Sequence, residues 1–494
     1  MTLGKMLEET TTNNSDKIAI SFKNEELAYS ELQSKVTNLA SNLSILNVNY
    51  GDRVGLLFNN SLEFIISFFA IARIGAIAVP LDIRYKPEEL QFISEHCDIK
   101  ILITANEFVD KVDKLSNPRN FIVSGIEPAD NILSFEELLN RKPYQGIKRN
   151  IKPEDEALYL YTSGSTGKPK SIIRTHRNLV SEAENVSSTE GITNKDNILG
   201  VIPLFHSYGL GHCMLTSIKT GATLVLLDKF VPHEIIRIIK TKSISIFPGI
   251  PYMYELLVES YTEETSDLSS LRLCISAGAP LSLNIAKRFK NKFGVVINQH
   301  YGSSEAGAIS INLNRNLESN IKSVGLPMNN VSVKIVNDQN QEVLNGESGE
   351  IIVKSDAVSK GYFRLSELNK KVFKDGWCYT GDLGKKENGY LYITGRKKNI
   401  INVAGLKVDP LEIERLLVSF PKVKEVAVIG VKDESLGESV KAIVVLKEKS
   451  NEDELFDFCG GKLADYKIPR QIEFRDALPK NSMGKILREE LEET

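Results

Sequence analysis

The sequence predicts an α/β protein with a large N-terminal domain of doubly wound sheets, a β-barrel-like subdomain and a small C-terminal α+β domain. Three observations predict this fold class. The 494 residues are enough for several domains of about 100 to 200 residues each. Hydrophobic residues make up 42% and charged residues 25%, a balance that excludes a disordered or fibrous chain. Strand-like and helix-like segments alternate along most of the chain, and this pattern changes only near Val324.

A helix followed by a strand is predicted near the N-terminus. Leu32, Val36, Leu39 and Leu43 recur at helical spacing and would form one apolar stripe of a helix, with the hydroxyl of Ser30 as its N-cap. The residues GDRVGLLF that follow predict a turn and a strand.

The apolar stretch at positions 64–81 imitates a membrane span. Arg73, Gly75 and Pro80 interrupt it, so a buried helix, a glycine turn and a buried strand explain it better. We therefore expect no membrane-spanning segment.

The middle of the chain repeats the alternation of strands and helices. Strands are predicted at 222–227, 243–247, 271–276 and 295–299, with helices at 231–240 and 252–259. This order is typical of a parallel sheet covered on both faces. Ligands of such sheets bind in the loops that follow the carboxyl ends of the strands.

Short β-rich segments separated by Asn, Asp and Gly begin near Val324 and indicate the antiparallel or barrel-like subdomain. After Gly395 a compact pattern follows: the strand IINV, a turn at Gly405, a helix from Asp409, two strands and a last helix at 452–465. We place the domain boundary at Lys398, which divides the chain into residues 1–397 and 398–494.

Charge and cysteine content exclude several classes of function. Lys and Arg (61) nearly balance Asp and Glu (64), and a net charge of −3 offers no cationic field for nucleic acid. The five cysteines are widely spaced and contain no CxxC pair, so neither a zinc cluster nor a disulfide framework is predicted. The N-terminal residues are polar and acidic, unlike a signal peptide, and we expect a cytoplasmic protein.

The loop YTSGSTGKPK at 161–170 follows a strand-like segment and is the most specific motif. Its glycines, hydroxyl side chains and lysines suit a loop that wraps the oxygens of a polyphosphate. A Walker-type P-loop does not fit, because Gly164 and Gly167 are too close together and Pro169 follows Lys168. An ordinary surface loop is the remaining alternative.

This loop resembles the phosphate-loop signature of the adenylate-forming superfamily, which includes acyl-CoA synthetases and 4-coumarate-CoA ligases. Further segments are similar to that family's motifs and occur in its order: PLFHSYGL (203–210), SAGAPLS (276–282), YGSSEAG (301–307), YTGD (379–382), GRKKNIINVAG (395–405) and LPKNSMGKILR (478–488). The resemblance covers nearly the whole chain. It implies a C-terminal domain that moves during the reaction.

The resemblance implies a role for each matching residue of the nucleotide site. The phosphates of ATP would be held by Thr162, Ser163, Gly164, Ser165, Thr166, Gly167 and Lys170. The adenine and the phosphates would also contact Gly278, Ala279, Tyr301, Gly302 and Ser304. Asp382 and Arg396 would bind the ribose, and Glu305 would provide a carboxylate for Mg²⁺. The alternatives to these roles are that Lys170 and Glu305 are ordinary surface residues and that Asp382 is a turn residue.

Lys485 lies in a polar C-terminal loop, where a lysine is ordinarily a solvated charge. By resemblance it is the catalytic lysine that contacts the acid's carboxylate and the α-phosphate, with Lys170 as its partner in balancing charge.

His206 is the remaining candidate catalytic residue. The spacing of His206, His212 and Cys213 does not match that of standard metal ligands, which argues against a metal site. The other alternative is that His206 is a histidine of the core. By resemblance His206 lines the acid pocket together with Tyr208, Gly209 and Gly278. Relatives that activate amino acids carry Asp where His206 stands, so we expect an acid without an α-ammonium group.

The sequence therefore predicts an AMP-forming acid-thiol ligase, an acyl- or aryl-CoA synthetase that uses ATP, Mg²⁺ and coenzyme A. The C-terminal domain would rotate about a hinge at Lys398 between the two half-reactions. The alternative is a free-standing adenylating enzyme that loads the phosphopantetheine thiol of an acyl carrier protein. An inactive ATP-binding relative would be expected to lack Lys485, Glu305 or Asp382, and all are present.

Overall fold

The computed structural model describes residues 1–113, 115–116, 120–128, 132–141, 149–162, 169–260, 268–316, 321–403, 406–433, 436–460, 462–481 and 484–492. The chain divides into two compact units. The first unit comprises Met1–Ile321, Pro327–Ser332 and Val353–Cys378, and the second comprises Lys322–Leu326, Val333–Ile352 and Tyr379–Thr494. The predicted boundary at Lys398 falls inside the second unit and stays a prediction.

One sheet of the first unit is built around parallel strands from the N-terminal part of the chain. Its strands lie in the order Gly361–Tyr362, Lys170–Thr175, Glu156–Thr162, Ile77–Pro80, Arg53–Leu57, Ile99–Ala105, Asn120–Ser124 and Ile132–Ser134. The strands from Glu156–Thr162 onward are parallel to one another. At one edge, Lys170–Thr175 pairs antiparallel with Glu156–Thr162 on one side and with Gly361–Tyr362 on the other. The buried apolar residues between this sheet and its helices include Val79, Ile99 and Tyr159.

The other sheet of the first unit carries the remaining motifs. Its strands lie in the order Gly307–Ile311, Ile297–Ser303, Leu273–Ser276, Ile246–Gly249, Asn197–Gly200, Thr223–Leu226, Ile18–Phe22 and Glu25–Ala28. The strands from Ile297–Ser303 through Ile18–Phe22 are parallel, and antiparallel strands close both ends of this series. The loops after Gly249, Ser276 and Ser303 therefore lie at one edge of the sheet.

Helices connect these strands. The α-helices of the first unit are Leu3–Asn14, Tyr29–Ile45, Leu62–Arg73, Pro87–Cys97, Val109–Val112, Phe135–Asn140, His176–Glu190, Thr216–Thr220, Pro232–Thr241, Pro251–Glu259, Leu283–Phe293 and Ser366–Val372, with a π-helix at Gly209–Leu215 and a 3₁₀-helix at Asn106–Phe108. The predicted α/β class with doubly wound sheets is confirmed.

The second unit contains β-rich segments and the C-terminal α+β fold. Trp377–Glu387 pairs antiparallel with Tyr390–Arg396, and the same sheet includes Ser332–Val336 and Ser348–Lys354. A further sheet contains Leu406–Val408, Ile401–Val403, Gly437–Leu446, Val423–Asp433 and Gln471–Phe474. Its helices are Pro410–Val418, Glu452–Gly460 and Glu489–Glu492, with 3₁₀-helices at Lys397–Asn399 and Asp465–Lys467.

The structure confirms most local predictions and corrects one cap. Positions 64–81 contain a helix ending at Arg73, a turn at Gly75 with φ of +71°, and a buried strand from Ile77. The helix that contains the predicted apolar stripe is Tyr29–Ile45, and the side chain of Glu31 accepts a hydrogen bond from the backbone of Ala28. Ser30 thus lies inside the first turn, and its prediction as N-cap is wrong.

No helix in the described ranges is long and apolar enough to cross a membrane. All five cysteines are buried and free, so the prediction of no disulfide framework is confirmed.

Candidate active site

The loops at the carboxyl edge of the second sheet bring several predicted site residues into the first unit. Gly278 and Ala279 lie between the strand Leu273–Ser276 and the helix Leu283–Phe293. Gly278 has φ of +84°, a conformation that favours glycine, so this loop turns sharply after the strand.

The Tyr301–Glu305 segment contains the end of the neighbouring strand Ile297–Ser303 and the start of the loop after it, at the same edge. A Cβ added at Gly302 would lie 2.6 Å from the carbonyl oxygen of Gly307, so only glycine allows this close backbone approach. The Oγ atoms of Ser304 and Ser207 are 3.3 Å apart. This hydrogen bond joins the predicted nucleotide loop to the predicted acid-pocket segment.

The Glu305 carboxylate accepts a hydrogen bond from the Tyr362 hydroxyl, 2.9 Å from Oε1, and the Glu305 backbone carbonyl accepts one from Ser359. Tyr362 thereby orients a carboxylate beside the predicted nucleotide loop. Mg²⁺ commonly binds one or two carboxylates plus substrate phosphates, so a single carboxylate here suits a nucleotide-borne Mg²⁺. Within the described ranges no group of three or more acidic, His or Cys side chains could hold a metal alone.

A buried ion pair supports the same segment. Nη2 of Arg174 lies 2.8 Å from Oε2 of Glu182, and the Arg174 and Glu182 side chains are 1% and 7% exposed. Arg174 also donates hydrogen bonds to the carbonyl oxygens of Ser304 and Ala357, at 3.2 and 3.0 Å. The guanidinium therefore fixes the backbone on which Ser304 and Glu305 stand.

Two residues of the predicted phosphate loop lie in the described part of the chain. Thr162 ends one strand, Lys170 begins the next, and the two pair antiparallel at the base of the loop. The remaining predicted contacts, Ser163, Gly164, Ser165, Thr166 and Gly167, lie outside the described residues.

His206 lies beside a charged pair that sequence reasoning missed. Its Nε2 is 3.9 Å from Oδ2 of Asp82, whose carboxylate accepts hydrogen bonds from the Arg84 guanidinium at 3.0 and 2.7 Å. Burial lowers the pKa of His206 to about 4, although Asp82 partly opposes this shift, so the ring is neutral at pH 7. Burial raises the pKa of Asp82, but the hydrogen bonds from Arg84 outweigh it and the net pKa is lowered.

Asp82 follows the carboxyl end of the buried strand Ile77–Pro80. Its position at a strand end, in the residues LDIR, is the signal that could have identified it.

The glycines after Tyr208 serve close packing. A Cβ added at Gly209 would lie 2.3 Å from the carbonyl oxygen of Pro203, and one at Gly211 would lie 2.7 Å from Oε1 of Glu182. The absence of these side chains therefore adds no open space for an acyl chain beside Tyr208, contrary to what small residues in a pocket motif suggest.

His212 is buried, and its Nε2 lies 3.1 Å from Oε2 of Glu190. Its ring packs 5.3 Å from Tyr208 and 5.3 Å from His300, measured between centroids. His212 thus joins a buried side-chain cluster and not a metal site with His206 and Cys213.

Asp382 and Arg396 come together in the second unit. They are opposite each other on antiparallel strands, and Nε of Arg396 donates to Oδ1 of Asp382 at 2.6 Å. The two side chains predicted to bind ribose therefore form one charged pair.

Lys398 is exposed in a 3₁₀-helix of the second unit. Its neighbour Lys397 pairs with Glu350 at 3.1 Å and Asp338 at 3.2 Å, which anchors the segment immediately before it.

Lys485 is exposed on a turn of the second unit. The backbone N–H of Lys485 donates to the Asn481 side chain at 3.0 Å, and Asn481 donates to the Lys485 carbonyl at 2.9 Å. Lys480 and Ile486 form a β-bridge at the base of this turn. The turn thus presents the Lys485 side chain on a supported backbone.

Comparison with known proteins shows two matching family models. Residues 7–363 match the model described as "AMP-binding enzyme", and residues 412–485 match "AMP-binding enzyme C-terminal domain". The first match alone covers more than half of the chain.

Similar proteins include named CoA ligases. The chain is 32% identical to a long-chain-fatty-acid–CoA ligase of Bacillus subtilis (strain 168), over 99% of this chain and 94% of that protein. It is 33% identical to a feruloyl-CoA synthase of Amycolatopsis sp., over 94% of this chain and 93% of that protein. The crystal structure of ATP-bound MatB from Rhodopseudomonas palustris superposes with a TM-score of 0.90 at 28% identity, covering 100% of this chain and 99% of that one.

Proposed function

The chain belongs to the family of AMP-binding enzymes, and from this premise we propose the role of each site residue in an AMP-forming acid–CoA ligase. The enzyme activates a carboxylic acid with ATP as an acyl adenylate and transfers the acyl group to coenzyme A. The carboxylate itself attacks the α-phosphate, so no nucleophile of the protein is required.

In the nucleotide site, Thr162 and Lys170 flank the phosphate loop, and Ser163, Gly164, Ser165, Thr166 and Gly167 complete it. Gly278, Ala279, Tyr301 and Gly302 form the adenine side, and Ser304 meets the phosphates. Glu305, oriented by Tyr362, would hold the Mg²⁺ that accompanies ATP and offsets its phosphate charge. Asp382 accepts hydrogen bonds from the ribose while Arg396 keeps the carboxylate in place.

The acid lies against His206, Tyr208 and Gly278. A neutral His206 packs against the acyl group without adding a charge. Asp82 provides a carboxylate near this position, but Arg84 already neutralises it. An α-ammonium group would therefore be buried without a counter-charge, which costs several kcal/mol, and α-amino acids are poor substrates.

Lys485 donates to the acid's carboxylate and the α-phosphate while negative charge accumulates there during the first half-reaction. Rotation about Lys398 then removes Lys485 and admits the thiol. Gly405, at the end of the segment GRKKNIINVAG, would by resemblance line the route of the thiol; it lies outside the described residues. Coenzyme A is the thiol substrate because the similar proteins are named as CoA ligases, and none of those reported above favours a carrier protein.

Five free, buried cysteines support a cytoplasmic location, because thiols persist in a reducing compartment.

The hydrogen bond between Ser207 and Ser304 is the observation that supports this proposal most, because it joins the segment PLFHSYGL, proposed to bind the acid, to the segment YGSSEAG, proposed to bind the nucleotide. The test is ATP–pyrophosphate exchange and thioester formation with aryl acids, short-, medium- and long-chain fatty acids and the twenty amino acids, with and without coenzyme A. We expect exchange with simple carboxylates and thioester only with coenzyme A. Greater exchange with an amino acid than with every simple carboxylate would refute the pocket assignment.

Lys485→Ala tests the catalytic lysine. We expect adenylate formation to fall at least about a hundredfold, in line with loss of a single transition-state donor, while thioester formation from supplied acyl-AMP stays nearly intact. Lys480→Ala is the matched control, because Lys480 lies in the same motif but pairs with Glu425 at 2.6 Å. Equal losses in both half-reactions for Lys485→Ala would contradict the assignment.

A further inference from the structure

A buried carboxylate fixes the segment that follows Lys485 to the rest of the second unit. Glu414 belongs to the helix Pro410–Val418, and its side chain is 10% exposed. Nη2 of Arg488 donates to Oε1 of Glu414 at 2.5 Å, and the backbone N–H of Val428 donates to the same oxygen at 2.8 Å. Arg488 is three residues beyond Lys485. One carboxylate therefore joins the helix, the neighbouring strand and the Lys485 segment.

The helix and the Lys485 segment pack on opposite faces of the same sheet. Successive residues of the strand Val423–Asp433 point to opposite faces. Val428 belongs to the apolar cluster shared with the helix, whereas Ile429 belongs to the cluster that contains Leu491. This strand is the last in the strand order of the sheet. The Arg488 guanidinium therefore meets the carboxylate of the helix at the edge of the sheet.

The pair provides a direction that apolar packing lacks. Leu478 and Leu491 flank the segment and are 6% and 1% exposed, but hydrophobic contacts are non-directional. A charge-assisted hydrogen bond depends on both distance and angle. Burial raises the pKa of Glu414, and the Arg488 guanidinium opposes this shift because it stabilises the ionised carboxyl group. A buried ion pair stabilises a fold little more than apolar side chains would, so its contribution here is the position of the segment.

Resting on the proposed function, we propose that Arg488 and Glu414 are positioning residues that set the place of the Lys485 ammonium for adenylate formation. Both act through Lys485. The N–H of Leu487 donates to the carbonyl of Pro479 at 2.9 Å and closes the turn that carries Lys485, so a shift of the Arg488 backbone also moves this lysine. A displacement of about 1 Å at a reacting geometry can lower a rate about a hundredfold.

The test measures the two half-reactions separately in Arg488→Met, which keeps an unbranched side chain and removes its charge. The substrate is the acid that the wild-type enzyme activates best. We expect kcat for adenylate formation to fall about tenfold with little change in KM for ATP, and thioester formation from supplied acyl-AMP to stay nearly intact. Glu414→Gln, which keeps an oxygen that can accept from Val428, should show the same split. Arg488→Lys should recover part of the rate, because it keeps a positive charge beside Glu414.

A double-variant cycle separates positioning from general destabilisation. In Lys485→Ala, the addition of Arg488→Met should cause no further loss of adenylate formation, because the group that Arg488 positions is absent. Lys467→Met is the matched control. It breaks the pair that Lys467 forms at 2.7 Å with Glu412 of the same helix, and both half-reactions should keep the wild-type rate.

The outcomes separate this inference from the proposed function. Equal losses in both half-reactions, or a further loss in the Lys485→Ala background, would overturn the inference, as would wild-type rates in both Arg488→Met and Glu414→Gln. Should a single variant fold poorly, Arg488→Met/Glu414→Gln leaves no buried charge unpaired and decides by the same split. Failure of the wild-type enzyme to activate any acid would refute the proposed function itself.

Discussion

The buried pair of Arg174 and Glu182 provides the most quantitative test of the first unit. Arg174→Met removes the guanidinium but keeps an unbranched side chain of similar length. The Glu182 carboxylate then stays buried without its partner, 2.8 Å from where the charge stood. The carbonyl oxygens of Ser304 and Ala357 also lose the donors that lie at 3.2 and 3.0 Å.

Removing one partner of a buried ion pair costs about 3–5 kcal/mol, because an uncompensated charge remains in the interior. Both side chains are more than nine-tenths buried, so solvent screens this loss very little. In the double variant Arg174→Met/Glu182→Gln the buried charge is absent, and we expect about 1–2 kcal/mol to be recovered.

The assay is urea unfolding followed by tryptophan fluorescence. The chain has a single tryptophan, Trp377, near the end of the first unit and at the start of the strand Trp377–Glu387, so far-UV circular dichroism is recorded alongside its emission. When the slope m of unfolding free energy against urea concentration is unchanged, the shift in the urea midpoint gives the change in the free energy of unfolding. Because Arg174 supports the Ser304 carbonyl, KM for ATP should also rise in the single variant while KM for coenzyme A stays unchanged.

Lys370→Met is the matched control, since it breaks an exposed pair with Glu367 in the same unit. Exposed pairs contribute little to stability. A midpoint for Arg174→Met equal to that of the control would refute the reasoning. A double variant no more stable than the single one would show that the cost does not come from the unpaired carboxylate.

Further predictions concern the pocket segment, the hinge and the second unit. Gly209→Ala should lower the midpoint of thermal unfolding by several degrees, because the added Cβ would lie 2.3 Å from a backbone carbonyl oxygen. Gly460→Ala is the control, because its Cβ would have no atom within 4 Å, and its midpoint should not change. Equal midpoints for the two variants would contradict the packing argument. Lys398→Pro should preserve adenylate formation and slow thioester formation, because proline cannot follow a backbone rotation. Lys398→Ala should slow neither half-reaction. A normal overall rate for Lys398→Pro would exclude a hinge at this residue. Burial raises the pKa of Asp409 to about 6. Between about pH 4 and 6 the carboxyl group is therefore protonated in the folded chain and ionised in the unfolded chain. The stability that the protonated carboxyl contributes is lost as the pH rises through about 6. Asp409→Asn should therefore be more stable than wild type at pH 7.5 but not at pH 4, by circular dichroism; the same pH dependence in both proteins would refute the assignment.

The fold and the positions of the motifs could be predicted because they depend on residues close together in the chain. Hydrophobic periodicity and strand-helix alternation predicted the parallel sheets, and the loops after Ser276 and Ser303 contain motifs where such sheets bind ligands. The cap at Ser30 was wrong because the helix starts one residue earlier, at Tyr29, where Glu31 accepts from the backbone of Ala28. The hydroxyl of the buried Tyr29 also lies within hydrogen-bond distance of the carbonyl oxygens of Ser217 and Ala222, at 3.0 and 2.8 Å, which are far away in sequence.

The sequence by itself determined the family, the chemistry and the candidate nucleotide residues, since each motif is a short contiguous segment whose side chains identify it. Only the tertiary structure decided which side chains touch. Glu305 meets Tyr362, Ser207 meets Ser304, and Arg174 reaches the backbone of Ser304 across 130 residues of sequence. The physical reason is that these contacts depend on the order and register of strands in a sheet, which no local pattern records.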